Sequence, residues 1–531
     1  MERISCDVLI LGSGAAGLRA AISVREADLK VCVVSKGPSG KSTSTWMSAG
    51  VMAGSMNTAT FSTHHDDTLL AGRGINSQAL VKILVEEAPV RLDELRKWGI
   101  RGQFQDGYLY AGGRPPVQGQ AIIRCLIAKN QELGTEFMEN VLVTDLRLEN
   151  GTGAVKAHIQ SSGEWIVITA KAVILATGGA AALYHRNDNP KHMCGDGYRL
   201  ALEAGAVLQD MEFVQFYPVC LAETGLAPLV IPPNLTDCGR LVNGEGEDVL
   251  DKYGIKERPA AAKARDKLSQ ALFTEIYRNG KHVFLDLRSL SEEQWRIDPF
   301  VTSMQHLLGD RYGAKARPMR VAPAAHFTMG GVQINNTCAT SVPGLFAAGE
   351  VTGGLHGANR LSGNALSETL VFGARAGNSA AHWASERSGS INQSYFHGQS
   401  ERPPSQGSGL LTGDHLKASL CKIMWQECGI LRNEQGLRRA AVAVKEIRDQ
   451  VVGLSFECEG QDFNNALEVR SATRVASLIL NGALRRQETR GAHFREDFPE
   501  RDDDKWRGHL QVHIDQHGED IWHFEPEQPS A

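Results

Sequence analysis

A glycine-rich turn, Gly12-Ser13-Gly14-Ala15-Ala16-Gly17, comes directly after the apolar run of residues 6–11. An alanine-rich helical stretch follows to about Ala27, and a second apolar run occupies residues 30–34. This order predicts a βαβ unit of about thirty residues. In such a turn the first glycine permits the tight bend, the second lets the backbone approach a pyrophosphate, and the third lets helix and strand pack closely. Since the helix N-terminus also offers free N–H groups to phosphates, the chain is predicted to have an α/β fold that binds a dinucleotide.

Two later turns indicate which dinucleotide binds. Ser35 stands where an acidic residue commonly grips the ribose of NAD, which disfavours NAD. Two further apolar runs, residues 172–175 and 345–348, end in the turns Ala176-Thr177-Gly178-Gly179 and Gly349-Glu350. Three such strand ends, in this order, resemble the pieces that recur in flavoproteins with two dinucleotide-binding domains, where an acid such as Glu350 binds the ribitol or ribose. We therefore predict FAD as the cofactor.

The length of 531 residues exceeds one hydrophobic core and predicts about two to four domains. We expect an α/β architecture with a Rossmann-like FAD-binding domain, made of residues 1–219 and 321–384. An α+β capping domain is expected as an insertion at residues 220–320. The Ser-, Gly-, Gln- and Pro-rich stretch 385–414 is typical of a linker. Residues 415–531 are predicted to form a C-terminal helical domain and tail.

Composition excludes several classes of protein. A net charge of −5 and a pI near 6.4 give no reason to expect nucleic acid as a partner. The ten cysteines show no C-x-x-C spacing, so no metal or iron–sulfur site is expected in this chain. No signal peptide or transmembrane segment is recognisable. The sequence predicts a cytoplasmic protein. The alternative is a peripheral position on the inner membrane through a partner subunit.

Four further segments carry distinctive polar patterns. They are Arg265-Asp266-Lys267-Leu268-Ser269-Gln270, Ala325-His326-Phe327-Thr328-Met329-Gly330-Gly331, His356-Gly357-Ala358-Asn359-Arg360-Leu361 and Glu488-Thr489-Arg490-Gly491-Ala492-His493. In this order they resemble segments of the flavoprotein subunits of fumarate reductase and succinate dehydrogenase, and of L-aspartate oxidase. The resemblance covers essentially the whole chain. It implies an FAD-dependent oxidoreductase that transfers hydride between flavin N5 and a C4 dicarboxylate such as fumarate or succinate.

The resemblance gives three residues a catalytic role. Reduction of an alkene flanked by carboxylates needs a hydride at one carbon and a proton at its neighbour. His326 and Arg360 are the implied clamp on a carboxylate, and a guanidinium suits that task because it binds carboxylates bidentately. Arg265 is the implied proton donor. Its high pKa makes arginine an unusual acid, so a carbanion-like centre of higher basicity must form beside it.

One end of the implied substrate site departs from the family. Gln215-Phe216-Tyr217-Pro218-Val219 stands where the family has QFHPT, so Tyr217 replaces a histidine that binds one substrate carboxylate. Thr236, Asp237 and Arg240 preserve a Thr-acid-x-x-Arg pattern only if a short deletion follows, whereas an ungapped alignment on residues 241–243 removes the Glu–Arg proton relay. We expect Tyr217 and these three residues to contact a small carboxylate substrate. Its identity stays open between a fumarate-like dicarboxylate and another α,β-unsaturated or amino acid.

The expected flavin contacts follow from the same resemblance. Thr43 occupies the position of the histidine that bonds covalently to FAD in succinate dehydrogenase, so non-covalent FAD is predicted. The full set of expected cofactor contacts is Gly12, Gly14, Ala15, Ala16, Gly17, Ser35, Lys36, Ser42, Thr43, Ser44, Gly50, Ala176, Thr177, Gly178, Asp196, Gly349, Glu350, Asn364, Ala365 and Leu366.

Two alternatives to a dicarboxylate reductase remain. L-aspartate oxidase also lacks the covalent histidine and shares the segment Ser35-Lys36-Gly37-Pro38, but Tyr110-Ala111-Gly112-Gly113-Arg114-Pro115 replaces the segment that supplies a glutamate for the amino group. The second alternative is an electron-transfer flavoprotein subunit whose dicarboxylate chemistry has lapsed. Because the chain carries no iron–sulfur or haem ligands, we expect its electron partner to be an iron–sulfur subunit, a small carrier or oxygen.

Overall fold

A computed structural model describes residues 2–54, 58–387, 396, 412–454 and 460–527. The strands of these ranges, in chain order, are β1 (Glu2–Leu11), β2 (Val31–Val34), β3 (Val51–Ala53), β4 (Gly102–Gln105), β5 (Tyr108–Ala111), β6 (Glu136–Met138), β7 (Val141–Glu149), β8 (Thr152–Ile159), β9 (Trp165–Leu175), β10 (Leu208–Gln209), β11 (Val214–Leu221), β12 (Arg240–Asn243), β13 (Val283–Asp286), β14 (Met319–Thr328), β15 (Gly331–Val332), β16 (Leu345–Ala347), β17 (Leu431–Arg432), β18 (Phe494–Arg495), β19 (Gly508–Ile514) and β20 (Asp520–Pro526). The α-helices are α1 (Ala15–Glu26), α2 (Ser44–Met47), α3 (Thr58–Ala71), α4 (Gln78–Lys97), α5 (Gly119–Glu132), α6 (Asp196–Glu203), α7 (Pro233–Cys238), α8 (Val249–Lys252), α9 (Ala260–Lys263), α10 (Arg265–Phe273), α11 (Pro299–Met304), α12 (Asn364–Ser385), α13 (Gly413–Glu427), α14 (Glu434–Leu454), α15 (Gly460–Arg485) and α16 (Asp503–Trp506).

The predicted βαβ unit is present and forms the centre of the main sheet. Strand β1 pairs in parallel with β2 on one side and with β9 on the other, and β6 extends the sheet beyond β2. All four residues of β2 are buried, as are the last four of β1. Such nearly continuous apolar runs are typical of parallel strands that are covered on both faces. Helix α1 runs between β1 and β2 and buries ten of its twelve residues.

Strand β9 changes partners along its length, and this positions the later glycine turns. Its first half pairs antiparallel with β8, whereas its last three residues, 173–175, pair in parallel with β16. The carboxyl ends of β1, β9 and β16 therefore lie side by side. Since ligands of open α/β sheets bind beyond the carboxyl ends of the strands, the three turns at residues 12–17, 176–179 and 349–350 face one site.

The capping region has a sheet and a hydrophobic cluster of its own. Its sheet has the order β11-β14-β13-β12 and is antiparallel throughout. Helices α7 to α11 lie between β11 and β14 in sequence, with π-helical turns after α10 and α11. The cluster includes Tyr217, Leu235, Leu268 and Phe300. The long strands β11 and β14 carry Tyr217 and His326, so the cap sheet delivers residues directly to the site described below.

The C-terminal region packs the helices α13, α14 and α15 against one another. A β-hairpin, β19–β20, follows them and joins β10 and β15 in a four-stranded sheet. The sequence did not predict this hairpin. Most of the predicted linker, residues 388–395 and 397–411, lies outside the described residues. Among the helices of the described ranges, none combines the length and apolar character that crossing a lipid bilayer requires.

Candidate active site

A cavity of about 1000 Å³ lies between the carboxyl ends of the central strands and the capping region. At one end it is lined by the glycine turns and by residues around Lys36 and Asp196. At the other end it is lined by the cap residues Tyr217, Arg265 and His326. The cavity is therefore long enough to run from the nucleotide-binding turns to the predicted catalytic residues.

The first glycine turn leaves room for a phosphate at one position only. A Cβ atom on Gly12 would lie 2.2 Å from the carbonyl oxygen of Ala176, and one on Gly17 would lie 2.0 Å from the carbonyl oxygen of Gly12. A Cβ on Gly14 would meet nothing nearer than the Thr45 hydroxyl at 4.0 Å. Helix α1 begins beside this space without a side-chain cap, so its first N–H groups are available to an anion. The turn fits a pyrophosphate.

Two buried polar groups also fit a flavin nucleotide. The Thr177 hydroxyl lines the cavity and has no hydrogen-bond partner among the described residues. One carboxylate oxygen of Glu350 accepts a hydrogen bond from the Thr328 N–H at 3.1 Å, and burial raises the Glu350 pKa to about 8. A buried carboxyl that faces a cavity with spare acceptor capacity suits a ribose or ribitol hydroxyl.

The two charged contacts predicted for the nucleotide form a network with the C-terminal region. The Lys36 ammonium lies 2.7 Å from Asp196 and 2.9 Å from Glu468 of α15. Glu468 in turn binds Lys417 of α13 at 2.8 Å. Lys36 and Asp196 both line the cavity, so the C-terminal helices complete its nucleotide end.

Thr43 caps a short helix beside the cavity. Its hydroxyl oxygen accepts from the Trp46 N–H at 3.1 Å and its hydroxyl donates to the Gly40 carbonyl at 2.9 Å. The residue at the position of the family's covalent histidine thus serves helix α2.

Most of the expected cofactor contacts lie on the cavity wall. The wall includes Gly12, Gly14, Ala15, Ala16, Ser35, Lys36, Thr43, Ser44, Gly50, Ala176, Thr177, Gly178, Asp196, Glu350, Ala365 and Leu366. Four others lie behind it and support it. Gly17 and Gly349 permit close packing against the first turn, the Asn364 amide bonds His64 and Thr68, and Ser42 precedes the cap of α2. For these four we do not retain a direct cofactor contact.

Arg265 is the first residue of α10, and three hydrogen bonds hold its guanidinium. Nη1 donates to Gln215 Oε1 at 3.0 Å, Nη2 to the Ser362 hydroxyl at 3.1 Å, and Nε to the Ala261 carbonyl at 3.1 Å. All three acceptors are neutral. Burial lowers the pKa of Arg265 from its ordinary value, which brings the guanidinium closer to the range of a usable acid.

Arg360 is a buried cation that forms no ion pair within the described ranges. Its side chain is 4% exposed, and Nε has no acceptor among the described residues. Its guanidinium lies over the Phe327 ring, with Cζ 4.4 Å from the centroid. Burial, reinforced by the nearby charge of Arg265, lowers the Arg360 pKa to about 9. Since an uncompensated buried charge costs several kcal/mol, this guanidinium is suited to an anionic ligand.

The carboxylates around the two arginines are engaged elsewhere. Asp266 binds Arg73 at 2.7 Å, Asp188 binds His326 at 2.7 Å, and Glu368 binds His356 at 2.9 Å. Within the described part of the chain, the cavity therefore keeps two guanidinium groups free of ion pairs with protein carboxylates.

His326 is oriented from behind by an acid. Asp188 Oδ2 lies 2.7 Å from Nδ1, which leaves Nε2 as the ring nitrogen free for a ligand. Burial lowers the His326 pKa, and the charges of Arg360 and Arg265 lower it further, while Asp188 opposes this effect. The ring is neutral near neutral pH and, as a neutral ring, carries its proton on the nitrogen that faces Asp188. An approaching carboxylate favours protonation of Nε2.

Tyr217 lies in the cavity but offers no hydrogen bond to a ligand. Its hydroxyl donates to the Ile231 carbonyl at 2.7 Å, and its side chain is 2% exposed. The Arg265 guanidinium lies over its ring, with Cζ 4.8 Å from the centroid. The expectation that Tyr217 donates to substrate is corrected: the residue contributes the face of an aromatic ring.

The other three expected substrate contacts lie away from the cavity. Thr236 is fully buried in α7, and its hydroxyl has no partner among the described residues. Asp237 accepts from the Ala260 N–H at 3.2 Å and lies 3.9 Å from Arg258. Arg240 is exposed at the start of β12. None of the three belongs to the cavity wall, so we do not retain a substrate role for them.

Sequence reasoning missed the residue that joins the two arginines. The Gln215 side chain accepts from Arg265 and donates to the Arg360 carbonyl at 3.0 Å and to Asn359 Oδ1 at 2.9 Å. Asp188 was also missed, because it lies 138 positions from His326 in sequence. The glutamine that opens the segment resembling QFHPT was the available signal for Gln215; Asp188 had none.

Together these groups can bind a carboxylate and act on the carbon beside it. Two guanidinium groups and an imidazole converge on one cavity wall, and α10 begins there with its positive end. Positive groups fixed in a buried site stabilise negative charge that develops in a transition state. The turns and the Arg-lined wall belong to a single cavity, which places an oxidation–reduction cofactor next to a bound carboxylate.

Comparisons with known protein families agree with this geometry. Residues 7–366 match the family described as FAD binding domain. Residues 417–528 match the family described as fumarate reductase flavoprotein C-term. The chain thus matches a flavin-binding family over its first part and a fumarate reductase family over its last part.

Individual relatives match along nearly the full length. One component of the fumarate reductase (CoM/CoB) of Methanothermobacter marburgensis is 36% identical over 535 residues, which cover 94% of this chain and 95% of that protein. L-aspartate oxidase of Streptomyces coelicolor is 34% identical, with 96% and 92% covered. The structure of E. coli quinol fumarate reductase FrdA superimposes with a TM-score of 0.88 at 27% identity, covering 100% of this chain and 98% of that one.

Proposed function

This chain belongs to the fumarate reductase and succinate dehydrogenase flavoprotein family of FAD-dependent oxidoreductases acting on CH–CH groups, and on that premise we propose that it reduces a carbon–carbon double bond conjugated to a carboxylate. Fumarate and succinate are the reference pair for this reaction. The carrying observation is the pair of buried guanidinium groups, Arg265 and Arg360, that have no carboxylate partner in the described chain.

In the proposed reaction each residue has a distinct task. When bound, FAD supplies the two electrons, as a hydride to one carbon of the double bond. Arg360 and His326 hold the substrate carboxylate and stabilise the negative charge that builds on it. Arg265 then donates a proton to the neighbouring carbon. Gln215 fixes the Arg265 guanidinium relative to Arg360.

The proton on Arg265 must be replaced after each turnover. The predicted relay through Asp237 and Arg240 has no counterpart at the cavity wall. Lowering of the Arg265 pKa by burial makes the proton easier to lose, and the cavity around it supplies solvent access for reprotonation.

We infer that FAD is bound non-covalently, because the Thr43 hydroxyl is used within helix α2 and is chemically unsuited to the histidyl linkage. We also propose an external electron donor. Relatives are named as flavoprotein subunits, which favours an iron–sulfur subunit over oxygen as the partner of this chain.

The test is dye-linked turnover by the FAD-loaded protein. Reduced viologen should be oxidised when fumarate or another α,β-unsaturated carboxylate is added, with the saturated acid as product. Bound FAD without turnover of any such acid would favour an electron-transfer flavoprotein whose dicarboxylate chemistry has lapsed. Formation of hydrogen peroxide from L-aspartate in air would favour L-aspartate oxidase.

A further inference from the structure

The position that departs from the family removes a donor from the second end of the substrate site. The Tyr217 hydroxyl donates to the Ile231 carbonyl at 2.7 Å, and the side chain is 2% exposed. Its ring face lies under the Arg265 guanidinium. A second substrate carboxylate placed here would meet an aromatic face and no free N–H or O–H from this residue.

On the described cavity wall, no buried cation replaces the lost donor at this end. Thr236 is buried outside the cavity wall, and Arg240 is exposed outside it. Lys263 is an exposed residue on the wall, so its ammonium stays hydrated at the mouth. The buried guanidinium groups of Arg265 and Arg360 lie with His326 at the first end.

The wall beside Tyr217 is apolar. It is formed by Leu229, Val230, Pro233, Ala262, Phe300 and Tyr110. Leu229, Val230, Phe300 and Tyr110 pack in the same hydrophobic cluster as Tyr217. The segment around residues 226–233 is held against Tyr217 by the hydroxyl bond to Ile231 and by the β-bridge between Cys220 and Val230. Burying apolar substrate surface here is favourable at about 25 cal/mol per Å².

A carboxylate at this end disfavours a second one from the substrate. Asp298 lines the cavity, accepts from the Asn234 amide at 2.6 Å and caps α11 through the Val301 N–H at 2.8 Å. No ion pair joins Asp298 to a cation in the described part of the chain. A substrate carboxylate brought beside it would lose hydration and meet a like charge.

We propose that the preferred substrate is an α,β-unsaturated monocarboxylate with an apolar substituent at carbon 3, such as a 2-alkenoate or a 3-arylacrylate. This inference rests on the proposed function and narrows its substrate. Arg360 and His326 bind the single carboxylate, and the apolar wall beside Tyr217 receives the substituent. Discrimination against fumarate arises because its second carboxylate would be buried without a partner.

The chemistry is balanced in the same way as for fumarate. One alkene carbon receives a hydride, its neighbour receives a proton from Arg265, and the carbon–carbon double bond becomes a single bond. The two electrons come from reduced FAD, which the viologen dye regenerates. No leaving group and no further oxidant is needed.

The experiment compares fumarate, (E)-2-hexenoate and cinnamate as oxidants of reduced viologen with the FAD-loaded full chain. We expect kcat/KM for hexenoate or cinnamate to exceed that for fumarate by about 10²-fold, the scale of discrimination that an unpaired polar group imposes. A preference for fumarate would overturn the inference and leave the proposed function standing. Turnover of none of the three acids would overturn both.

Variants at one position test the physical cause. Tyr217→His should lower the preference for hexenoate over fumarate by about tenfold or more, because the imidazole supplies a donor and a charge. Tyr217→Phe should keep the preference, since it retains the ring face. Tyr277→His is the matched control: Tyr277 is 45% exposed and outside the cavity wall, so the preference should not change. An unchanged preference in Tyr217→His would contradict the assignment.

A binding measurement covers the case in which Tyr217→His does not fold. Saturated acids that cannot react perturb the flavin absorption when they bind beside it. In the unmodified protein, hexanoate should bind about tenfold or more tightly than succinate, because only its tail matches the apolar wall. Tighter binding of succinate would overturn the inference.

Discussion

The guanidinium of Arg265 lies over the ring of Tyr217, with 4.8 Å between Cζ and the ring centroid. A cation over an aromatic face is stabilised electrostatically, by about 2 kcal/mol when the pair is desolvated. The tyrosine therefore supports the arginine without adding a second positive charge, which a protonated histidine would do. This arrangement keeps the proposed proton donor in place while it makes the adjoining end of the cavity apolar.

Replacing Arg360 by methionine should raise stability and abolish ligand binding. The side chain is buried and forms no ion pair within the described ranges, so its removal should increase the free energy of unfolding of the ligand-free protein by about 1–4 kcal/mol. Loss of the charged contact should weaken carboxylate binding by about 10²-fold or more. Chemical denaturation and flavin-monitored titration measure the two effects.

The matched control is Arg486→Met. Arg486 is equally buried but forms ion pairs with Glu212 at 2.6 Å and Glu488 at 3.0 Å. Its removal should cost about 3–5 kcal/mol, because two acids lose their partner. If Arg360→Met destabilised the protein to the same extent, Arg360 would be a structural residue and not a ligand-binding one.

Carboxylate binding should take up a proton at His326. Burial and the neighbouring arginines hold the His326 pKa below its ordinary value in the free protein. A bound carboxylate beside Nε2 raises that pKa, so between the free and bound pKa values the complex carries more protons than the free protein. Affinity should therefore fall as the pH rises through that window. Calorimetric titration in two buffers of different ionisation enthalpy measures the uptake.

His326→Gln should abolish this proton uptake and retain binding through Arg360. Asp188→Asn should reduce the uptake, because the imidazolium loses the acid that stabilises it at 2.7 Å. Equal uptake in all three proteins would assign the proton to another group.

A side chain at Gly14 should prevent FAD binding without unfolding the protein. A Cβ there meets no protein atom nearer than 4.0 Å, so Gly14→Val places its methyl groups in the space reserved for the pyrophosphate. We expect a folded apoprotein by circular dichroism with a flavin-to-protein ratio near zero. Gly12→Ala is the contrast, because its Cβ would lie 2.2 Å from the Ala176 carbonyl and should destabilise the fold itself. A yellow Gly14→Val protein would place the phosphates elsewhere.

Denaturation should release the flavin. Thr43 stands at the family's covalent position and its hydroxyl is bonded within α2. After acid or heat precipitation the yellow colour should stay in the supernatant. Colour that remains with the precipitated polypeptide would show a covalent link.

Local patterns were sufficient to predict the nucleotide end of the site. The first turn, the buried runs of β1 and β2 and the glycines after β9 and β16 depend on neighbours in sequence, and the structure confirms the α/β fold with parallel pairing of these strands. The family resemblance supplied Arg265, His326 and Arg360, which the structure brings to one cavity.

The substrate end was harder to predict because its properties depend on distant contacts. Tyr217 was expected to donate to substrate, but a loop fourteen residues away takes its hydroxyl bond. Asp188 orients His326 across 138 positions, and the packing of α7 turns Thr236 away from the cavity. Residue type alone predicts none of these contacts, because each depends on how separate strands of the cap sheet are placed.

The most direct test of the account is a single turnover of the reduced protein with and without Arg265. The FAD-loaded protein is reduced anaerobically and mixed with excess fumarate or (E)-2-hexenoate, and flavin absorbance and saturated acid are followed together. We predict complete reoxidation with an equivalent amount of product, and slowing by about 10²- to 10⁴-fold in Arg265→Lys, because a lysine cannot keep the three bonds to Gln215, Ser362 and Ala261. Arg258→Lys, a change at a half-exposed arginine outside the cavity wall, should leave the rate unaltered. Reoxidation at the same rate in Arg265→Lys, or none by either acid in the unmodified protein, would contradict the account.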